Sequence, residues 1–206
     1  GRAIYSLALA RQTILSLSCK AKEKQGGRAF YFTFCPLINQ IQSPMTKNIH
    51  EHFMLEALKQ AKLAFEKGEV PVGAIIVHKG RIIAKAHNQT ELLRDPTAHA
   101  EMIAITQAAE HLSSQGNSHH RGSLEKCAIY VTMEPCPMCA GALIWSKCEH
   151  LIYGTNDPKA GACGSLYNIA EDERLNHRLN VISGILEEES RFLLQEFFRT
   201  LRREKR

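Results

Sequence analysis

Four residues in two short stretches have the types and the spacing to bind a metal ion and move a proton. His99 and Glu101 stand two positions apart in "DPTAHAEMIAI", and Cys136 and Cys139 form a C-x-x-C unit in "EPCPMCAGALIW". Each pair falls where a helix is predicted to begin, and the backbone N–H groups there favour the thiolate form of cysteine. One imidazole and two thiolates suit tetrahedral zinc with the fourth position open. The sequence therefore predicts a catalytic Zn²⁺ site formed by His99, Cys136 and Cys139.

Glu101 is predicted to carry protons at this site and not to bind the metal. Zinc lowers the pKa of a bound water from about 15.7 toward 7, and a carboxylate beside the open position can accept that proton. The same group can return protons to a ring nitrogen and to an amine that leaves as ammonia. The alternative is that Glu101 is an acid of the first turn that only complements the helix dipole.

The cysteine pair has two other interpretations. A C-x-x-C unit can be a redox dithiol, although the surrounding P-C-P-M-C and the upstream H-x-E do not resemble a thioredoxin site. A structural zinc is the second possibility, with Cys127, Cys148 or Cys163 as the fourth ligand. The combination of H-x-E with P-C-x-x-C is more specific than either half and favours the catalytic zinc.

Composition indicates a globular protein with no need of disulfide bonds. The chain has 206 residues, of which 44% are hydrophobic and 23% are charged. No stretch reaches the roughly 18 uninterrupted apolar residues of a membrane span, so no membrane partner is predicted. The seven cysteines are irregularly spaced, which argues for a reducing compartment. A cytoplasmic location is predicted.

The net charge of +5 is concentrated in residues 1–44, which hold six basic residues and one acid. Residues 45–206 hold 20 charges of each sign, and a basic cluster ends the chain. We therefore predict an N-terminal extension over residues 1–44 and a single domain over residues 45–206. The extension has three interpretations: a transit-type leader, which would make the location organellar, sequence upstream of a start at Met45, or an accessory arm. The composition break favours the second.

The elements that position these residues alternate between helix and strand. A helical pattern begins at Ile49 and is closed by Gly68. Two Val- and Ile-rich strands then flank a turn at Lys79-Gly80. Asp95 or Thr97 can cap the next helix, with Pro96 near its first turn, and this helix runs to about Glu110. Residues 111–125 are polar and predict a loop.

The second half of the domain continues the alternation. "CAIYVTM" predicts a buried strand, a helix follows from Pro137 to Trp145, and "HLIYG" predicts a further short strand. Val181 and Ile182 indicate a fifth strand. A last helix begins at about Leu186, and its apolar stripe consists of Phe192, Phe197, Phe198 and Leu201. Strands alternating with helices predict an α/β layer sandwich.

Five stretches resemble the bacterial tRNA-specific adenosine deaminases: "EVPVGAIIV", "DPTAHAEMIAI", "YVTMEPCPMCAGALIWS", "DPKAGACGSLYNI" and "LNHRLNVISGILEEESRFLLQEFFRTLRR". The resemblance covers Met45 to about Arg203. It implies a cytidine deaminase-like, three-layer α/β/α sandwich with a mixed five-stranded sheet. It also implies hydrolytic conversion of adenosine to inosine at the wobble position of a tRNA anticodon, with one Zn²⁺ per subunit. The implied partners are the tRNA anticodon stem-loop and a second copy of the chain, in a homodimer.

The resemblance also implies substrate contacts. Asn88 would hydrogen-bond a flipped nucleoside, Asn176 would sit on the purine, and Glu69 and Asp157 would line the pocket or its mouth. Further substrate contacts are implied for Ala100 in the pocket and for Phe198, Arg202 and Arg203 at the flanking nucleotides. Without the resemblance, Asn88 and Asp157 are good turn formers, Phe198 is a candidate core residue and the two arginines are candidates for a solvated helix end.

Two departures and two rival functions accompany this prediction. The spacing from His99 to Cys136 is 37 residues, longer than expected for this family, and the excess is predicted to form a surface insertion at Ser113–Ser123. Residues 1–44 have no counterpart in the family.

One rival function is deamination of a free nucleobase or nucleoside, against which the "FFRTLRR" end argues. The other is a non-catalytic zinc protein that binds RNA, against which the intact Glu101 argues.

Overall fold

The computed structural model describes residues 44–114 and 122–204, which form five helices and five strands. The predicted extension, apart from Pro44, and residues 115–121 of the predicted insertion lie outside the described residues. In chain order the elements are α1 Pro44–Glu66, β1 Gly73–His78, β2 Arg81–His87, α2 Thr90–Leu93, α3 Ala100–Ser114, β3 Cys127–Met133, α4 Pro137–Trp145, β4 His150–Thr155, β5 Asn180–Ile182 and α5 Glu187–Glu204.

The five strands form one mixed sheet in the order β2-β1-β3-β4-β5. β1 is antiparallel to both β2 and β3, whereas β3, β4 and β5 are parallel to one another. The carboxyl ends of β3 and β4 therefore lie at the same edge of the sheet as the start of β1 and the end of β2. Ligand sites in sheets of this kind form beyond the carboxyl ends of the parallel strands.

The sheet is packed between two layers of helices, which confirms the predicted three-layer sandwich. Successive residues of β1 alternate between the layers, as the strand period requires. Ala74 and Ile76 belong to the cluster that contains the alanines of α3 and Leu143 of α4. Ile75 and Val77 belong to the opposite cluster, with Met54 and other residues of α1.

The boundaries differ from the predicted ones at three places. α1 begins at Pro44, five residues before the predicted start, and ends before Gly68, whose φ of 74° is left-handed. α3 begins only at Ala100, because Asp95 accepts hydrogen bonds from the N–H and hydroxyl groups of Thr97 and so stabilises the preceding turn. α3 also continues to Ser114, into the predicted loop.

Among the described residues, no helix combines the length and apolar character that crossing a bilayer requires.

Gly73 marks the closest approach of β1 to α1. A Cβ atom at this position would lie 2.1 Å from the carbonyl oxygen of Ala57 and 2.4 Å from the backbone nitrogen of Ala61. We expect Gly73→Ala to lower the free energy of unfolding by about 3 kcal/mol, because both atoms belong to the α1 backbone. Urea denaturation measures this effect. The control is Gly141→Ala in α4, where the added Cβ meets nothing within 4 Å. There we expect the free energy of unfolding to rise by about 0.5–1 kcal/mol. Equal losses of stability in both variants would contradict the close approach.

Candidate zinc and substrate site

The structure brings the three predicted zinc ligands together at the sheet edge described above. Cys136 is the N-cap residue of α4, Cys139 lies in the first turn of that helix, and His99 directly precedes α3. His99 Nδ1 lies 3.7 Å from the Sγ atom of Cys136 and 3.5 Å from that of Cys139. All three ligand atoms lie within 4.8 Å of one another.

These separations fit a tetrahedral zinc ion. Zn–S bonds of about 2.3 Å and Zn–N bonds of about 2.0–2.1 Å place two ligands at a tetrahedral angle roughly 3.5–3.8 Å apart. Within the described part of the chain, no fourth His, Cys, Asp or Glu joins the cluster. Cys127, Cys148 and Cys163 are free and buried elsewhere, so a structural site completed by one of these sulfurs has no support from the geometry.

The two cysteines of this site differ in proton affinity without a metal. Hydrogen bonds from the Cys139 thiol and from His99 lower the pKa of Cys136 to about 4. The hydrogen bond to Cys136, together with burial, raises the pKa of the Cys139 thiol. The hydrogen bond with Cys136 also raises the pKa of His99. A thiolate is therefore already favoured at the helix N-terminus, and Cys139 must release its proton to bind zinc.

Glu101 lies in the first turn of α3 and is 3% exposed. Burial raises the pKa of its carboxyl group, and the charge of Cys136 raises it further. Its Oε2 atom has no hydrogen-bond partner among the described residues. An unpaired buried carboxylate oxygen is costly for the fold, and a metal-bound solvent molecule would satisfy it. The location and the raised pKa fit a group that accepts and releases a proton.

A cavity of about 260 Å³ opens onto these residues. Of the predicted substrate contacts, Asn88 and Asp157 line it together with His99, Glu101 and Cys136. The cavity is also lined by residues for which no substrate contact was predicted, which are Val70, Val72, Thr90, Met133, Glu134 and Ala160.

Glu69 does not line the cavity in the single chain, but it binds two side chains that do, Asn88 and Thr90. Its buried carboxylate accepts hydrogen bonds from the Asn88 amide at 3.3 Å and the Leu92 N–H at 2.7 Å. It also accepts bonds from the Thr90 hydroxyl and the Glu91 N–H. The acid thus fixes the Asn88 side chain and the start of α2.

Two other predicted contacts lie away from this cavity in the single chain. Ala100 is fully buried and its side chain packs in the core beneath α3. Asn176 lines a separate cavity of about 520 Å³ together with Trp145, Leu175 and His177. Trp145 is 87% exposed there, the largest exposed fraction of any large hydrophobic side chain in the described part of the molecule.

Phe198 and Arg202 line a groove that adjoins the zinc cavity. The groove also contains Lys159 and Pro158, which follow the cavity residue Asp157 in the chain, and further residues of α5, which are Arg191, Leu194, Gln195 and Arg199. Phe198 is 43% exposed, so the interpretation as a core residue is wrong. Phe192 of the predicted stripe is exposed as well, whereas Phe197 is buried as predicted and Leu194 is buried in addition. Arg203 is exposed at the helix end but is not a groove residue.

Comparisons with known proteins agree with this geometry. The family model of the MafB19-like deaminases matches residues 48–202. The tRNA-specific adenosine deaminase of Bacillus subtilis is 48% identical over 156 residues, 76% of this chain and 92% of that protein. The protein of the same name from Aquifex aeolicus is 51% identical over 152 residues, 74% of this chain and 95% of its own length. The chain belongs to the tRNA-specific adenosine deaminase family.

A solved structure extends the comparison to the fold of the deaminase. The structure comes from a study of A-to-I editing by tRNA:A34 deaminases at the wobble position of transfer RNA. It is 41% identical, has a TM-score of 0.64, and covers 69% of this chain and 99% of its own chain. The predicted fold class and the assignment as a deaminase, a hydrolytic enzyme, are thereby confirmed.

Glu134 lies at the deaminase site, although its sequence position alone did not predict a role there. It follows β3, is buried, and lines the zinc cavity. Burial alone would raise the pKa of its carboxyl group, but hydrogen bonds from Ser165, Asp157 and Cys163 outweigh burial and lower it. The only sequence signal was its place two residues before Cys136, in a stretch quoted for its cysteines.

Proposed function

We propose that this deaminase converts adenosine to inosine at the wobble position of a tRNA anticodon. The proposal rests on one observation, that two different sites lie next to each other. A cavity lined by Glu101 and by two of the three proposed metal ligands, His99 and Cys136, adjoins a groove with an exposed aromatic ring and several cationic side chains. A deaminase of free bases needs the cavity and has no use for the groove. The relatives from Bacillus subtilis and Aquifex aeolicus are named tRNA-specific adenosine deaminases, which supports the same substrate.

The proposed chemistry assigns roles to several of the predicted site residues. His99, Cys136 and Cys139 would hold zinc, which supplies a water of lowered pKa as the nucleophile. Glu101 would accept one proton from that water and pass it to the ring nitrogen as the C–O bond forms. It would then accept the second proton from the new hydroxyl group and pass it to the amine, which leaves as ammonia when the C–N bond breaks. Burial raises the pKa of Glu101, which favours acceptance of a proton by its carboxylate. Asn88, fixed by Glu69, would hydrogen-bond the flipped nucleoside, and Asp157 would contact it at the cavity mouth.

The groove suits single-stranded RNA. A base inside a duplex cannot enter the cavity, whereas a base in an anticodon loop is flipped at low cost. Phe198 offers a ring on which a flanking base can stack. Lys159, Arg199 and Arg202 would meet phosphates, and Arg203 would extend this basic surface at the end of α5.

A comparison of substrates tests the proposed function. The zinc-loaded protein is incubated with an anticodon stem-loop that carries a wobble adenosine, and separately with free adenosine, cytosine and guanine. Mass spectrometry of the digested products is expected to show inosine from the stem-loop alone. The control is a stem-loop with its adenosine moved out of the wobble position. Product from a free base only would favour the rival small-molecule deaminase, and no product at full zinc occupancy would favour a non-catalytic protein.

We propose that the homodimer forms through the face that carries Trp145. The exposed indole ring, Leu175 and Ile144 border one cavity of mixed polar and apolar lining, and exposed aromatic residues of this kind are typical centres of interfaces. Because Asn176 lies on this face and outside the zinc cavity, its contact with RNA would occur near the subunit boundary.

We expect Trp145→Glu to weaken this dimer by a factor of at least about 30, the cost of losing a central aromatic contact. Sedimentation velocity over a concentration series measures the effect. Ile49→Glu is the control, since Ile49 is an exposed apolar residue of α1 outside the proposed face. A Trp145→Glu protein that sediments like the parent would refute this assignment of the interface.

A cytoplasmic location is part of the proposal. The five described cysteines are all free, which is typical of proteins from reducing compartments. Cell fractionation with detection of the full chain tests it, and recovery in an organelle would favour the leader interpretation of residues 1–44.

A further inference from the structure

Glu134 forms an unusually complete set of hydrogen bonds with a segment distant in the chain. Its Oε1 atom accepts the N–H groups of Cys163 at 2.9 Å and Ser165 at 3.0 Å. Its Oε2 atom accepts the N–H group of Asp157 at 2.9 Å and the hydroxyl group of Ser165. Both carboxylate oxygens are thus occupied by donors from a single loop, residues 156–165, which follows β4.

This loop borders both parts of the substrate site. Asp157 and Ala160 line the zinc cavity, while Pro158 and Lys159 line the groove next to it. The four residues are consecutive, and the same carboxylate binds the N–H group of the first of them, Asp157, and donors of Cys163 and Ser165, which follow the last. The position of Glu134 therefore determines where the cavity wall ends and the groove begins.

The loop is closely fitted around the carboxylate. A Cβ atom at Gly161 would lie 2.3 Å from Glu134 Oε2 and 2.5 Å from the carbonyl oxygen of Asp157. The next residue, Ala162, donates its N–H group to the carbonyl oxygen of Pro135 at 2.9 Å, which adds a second link to the segment before α4. Only glycine leaves room for the loop to cross the carboxylate at this distance.

We propose that Glu134 is a positioning residue for the RNA substrate, acting through the loop 156–165. It makes no contact with the reacting atoms in this role; it holds Asp157 and Ala160 at the cavity and Lys159 at the groove. Buried carboxylates that accept several N–H groups form stronger hydrogen bonds than neutral acceptors, and they fix a loop without regular secondary structure. The identity of the substrate in this inference rests on the proposed function. The contact between Glu134 and the loop does not depend on it.

Glu134→Gln tests the inference because it keeps the shape of the side chain and turns one acceptor into a donor that faces N–H groups. We expect the KM for the wobble-adenosine stem-loop to rise about ten- to a hundredfold, the usual effect of leaving a buried donor unpaired, with a smaller change in kcat. Zinc content, measured by mass spectrometry of the metal, stays at the parent level. Glu173→Gln, an exchange of an exposed glutamate, is the matched control and leaves both values unchanged.

Two readouts separate positioning from a general structural role. Stem-loop affinity in the Glu101→Ala background is expected to fall by the same factor as KM rises. Amide hydrogen exchange is expected to accelerate at residues 157, 163 and 165, with little change in β3 and α4. Loss of zinc in parallel with affinity, or unchanged affinity and exchange, would overturn the inference.

Gly161→Ala provides an independent route to the same contact, because it pushes the loop off the carboxylate and leaves Glu134 intact. The two substitutions are expected to be non-additive: the double variant loses little more stem-loop affinity than Glu134→Gln alone. Full additivity would contradict a shared contact. If the parent protein neither binds nor deaminates the stem-loop, the proposed function fails, and the exchange experiment still decides whether Glu134 holds the loop.

Discussion

Glu101→Ala is expected to reduce turnover of the stem-loop by a factor of about 10² to 10⁴, the usual contribution of a positioned proton carrier, while zinc stays bound. The reason is the geometry of the first turn of α3. His99 contributes a ligand atom to the metal cluster, and Glu101 is absent from the set of residues that could hold the ion. Its carboxylate nevertheless lines the same cavity as His99 and Cys136. Removing it deletes the proposed proton carrier and leaves the three proposed metal ligands in place.

Single-turnover kinetics with the stem-loop, together with zinc analysis, measure this result. Glu101→Gln is the matched variant, since it preserves the size of the side chain and loses the ability to accept a proton; it should be as inactive as the alanine variant. Stem-loop affinity should remain close to that of the parent in both. A Glu101→Ala protein that retains a near-normal rate would refute the proposed mechanism, and one without zinc would make Glu101 a metal-site residue.

Glu101 is expected to be needed for turnover, but its ionised carboxylate is expected to lower the stability of the metal-free protein at pH 7. Burial raises the pKa of this carboxyl above its unfolded value of 4.5, so the folded state binds the proton more tightly than the unfolded state. Ionisation of Glu101 therefore destabilises the fold as pH rises from the unfolded pKa through the folded one. We expect metal-free Glu101→Gln to be more stable than the parent at pH 7 and to lose this advantage below about pH 4. Equal stability at both values of pH would argue against the raised pKa.

The sequence predicted those features that depend on local chemistry. The run from Cys127 to Met133 is a strand with the predicted bounds, and the helix from Pro137 to Trp145 agrees at both ends. The three proposed ligands could be singled out because zinc accepts few residue types and a C-x-x-C unit at a helix start offers two of them; the structure brings all three together. Such signals lie within a few residues of one another.

The features that the sequence did not predict depend on distant contacts. Glu134 binds donors 23 to 31 positions away, and Glu69 binds donors about 20 positions away. Both acids bind N–H groups of loops, which have no periodicity to indicate a partner. The apolar stripe predicted for α5 was correct for Phe197 and wrong for Phe192 and Phe198, which are exposed. Spacing shows which residues share a face, but the neighbouring elements decide which of them are covered.

The largest expected effect on stability comes from Cys139→Ala. Cys139 is fully buried and contributes one of the three proposed ligands, so its removal should abolish zinc binding at ordinary zinc concentrations. Metal bound to the native state stabilises it by mass action, by about 4 kcal/mol when free zinc exceeds the dissociation constant a thousandfold. The variant should lose this contribution together with all turnover.

Cys148→Ala is the control that makes the Cys139 result specific. Cys148 is equally buried, and the same atoms are removed, but it lies outside the metal cluster. It should cost only about 1 kcal/mol from the small cavity and retain zinc. Thermal unfolding with and without a chelator distinguishes the two, because the chelator should lower the Tm of the parent and of Cys148→Ala and leave Cys139→Ala unchanged. A Cys139→Ala protein that still binds zinc and responds to the chelator would mean that the ion is held by other residues, and the open coordination position assigned to water would have to be placed elsewhere.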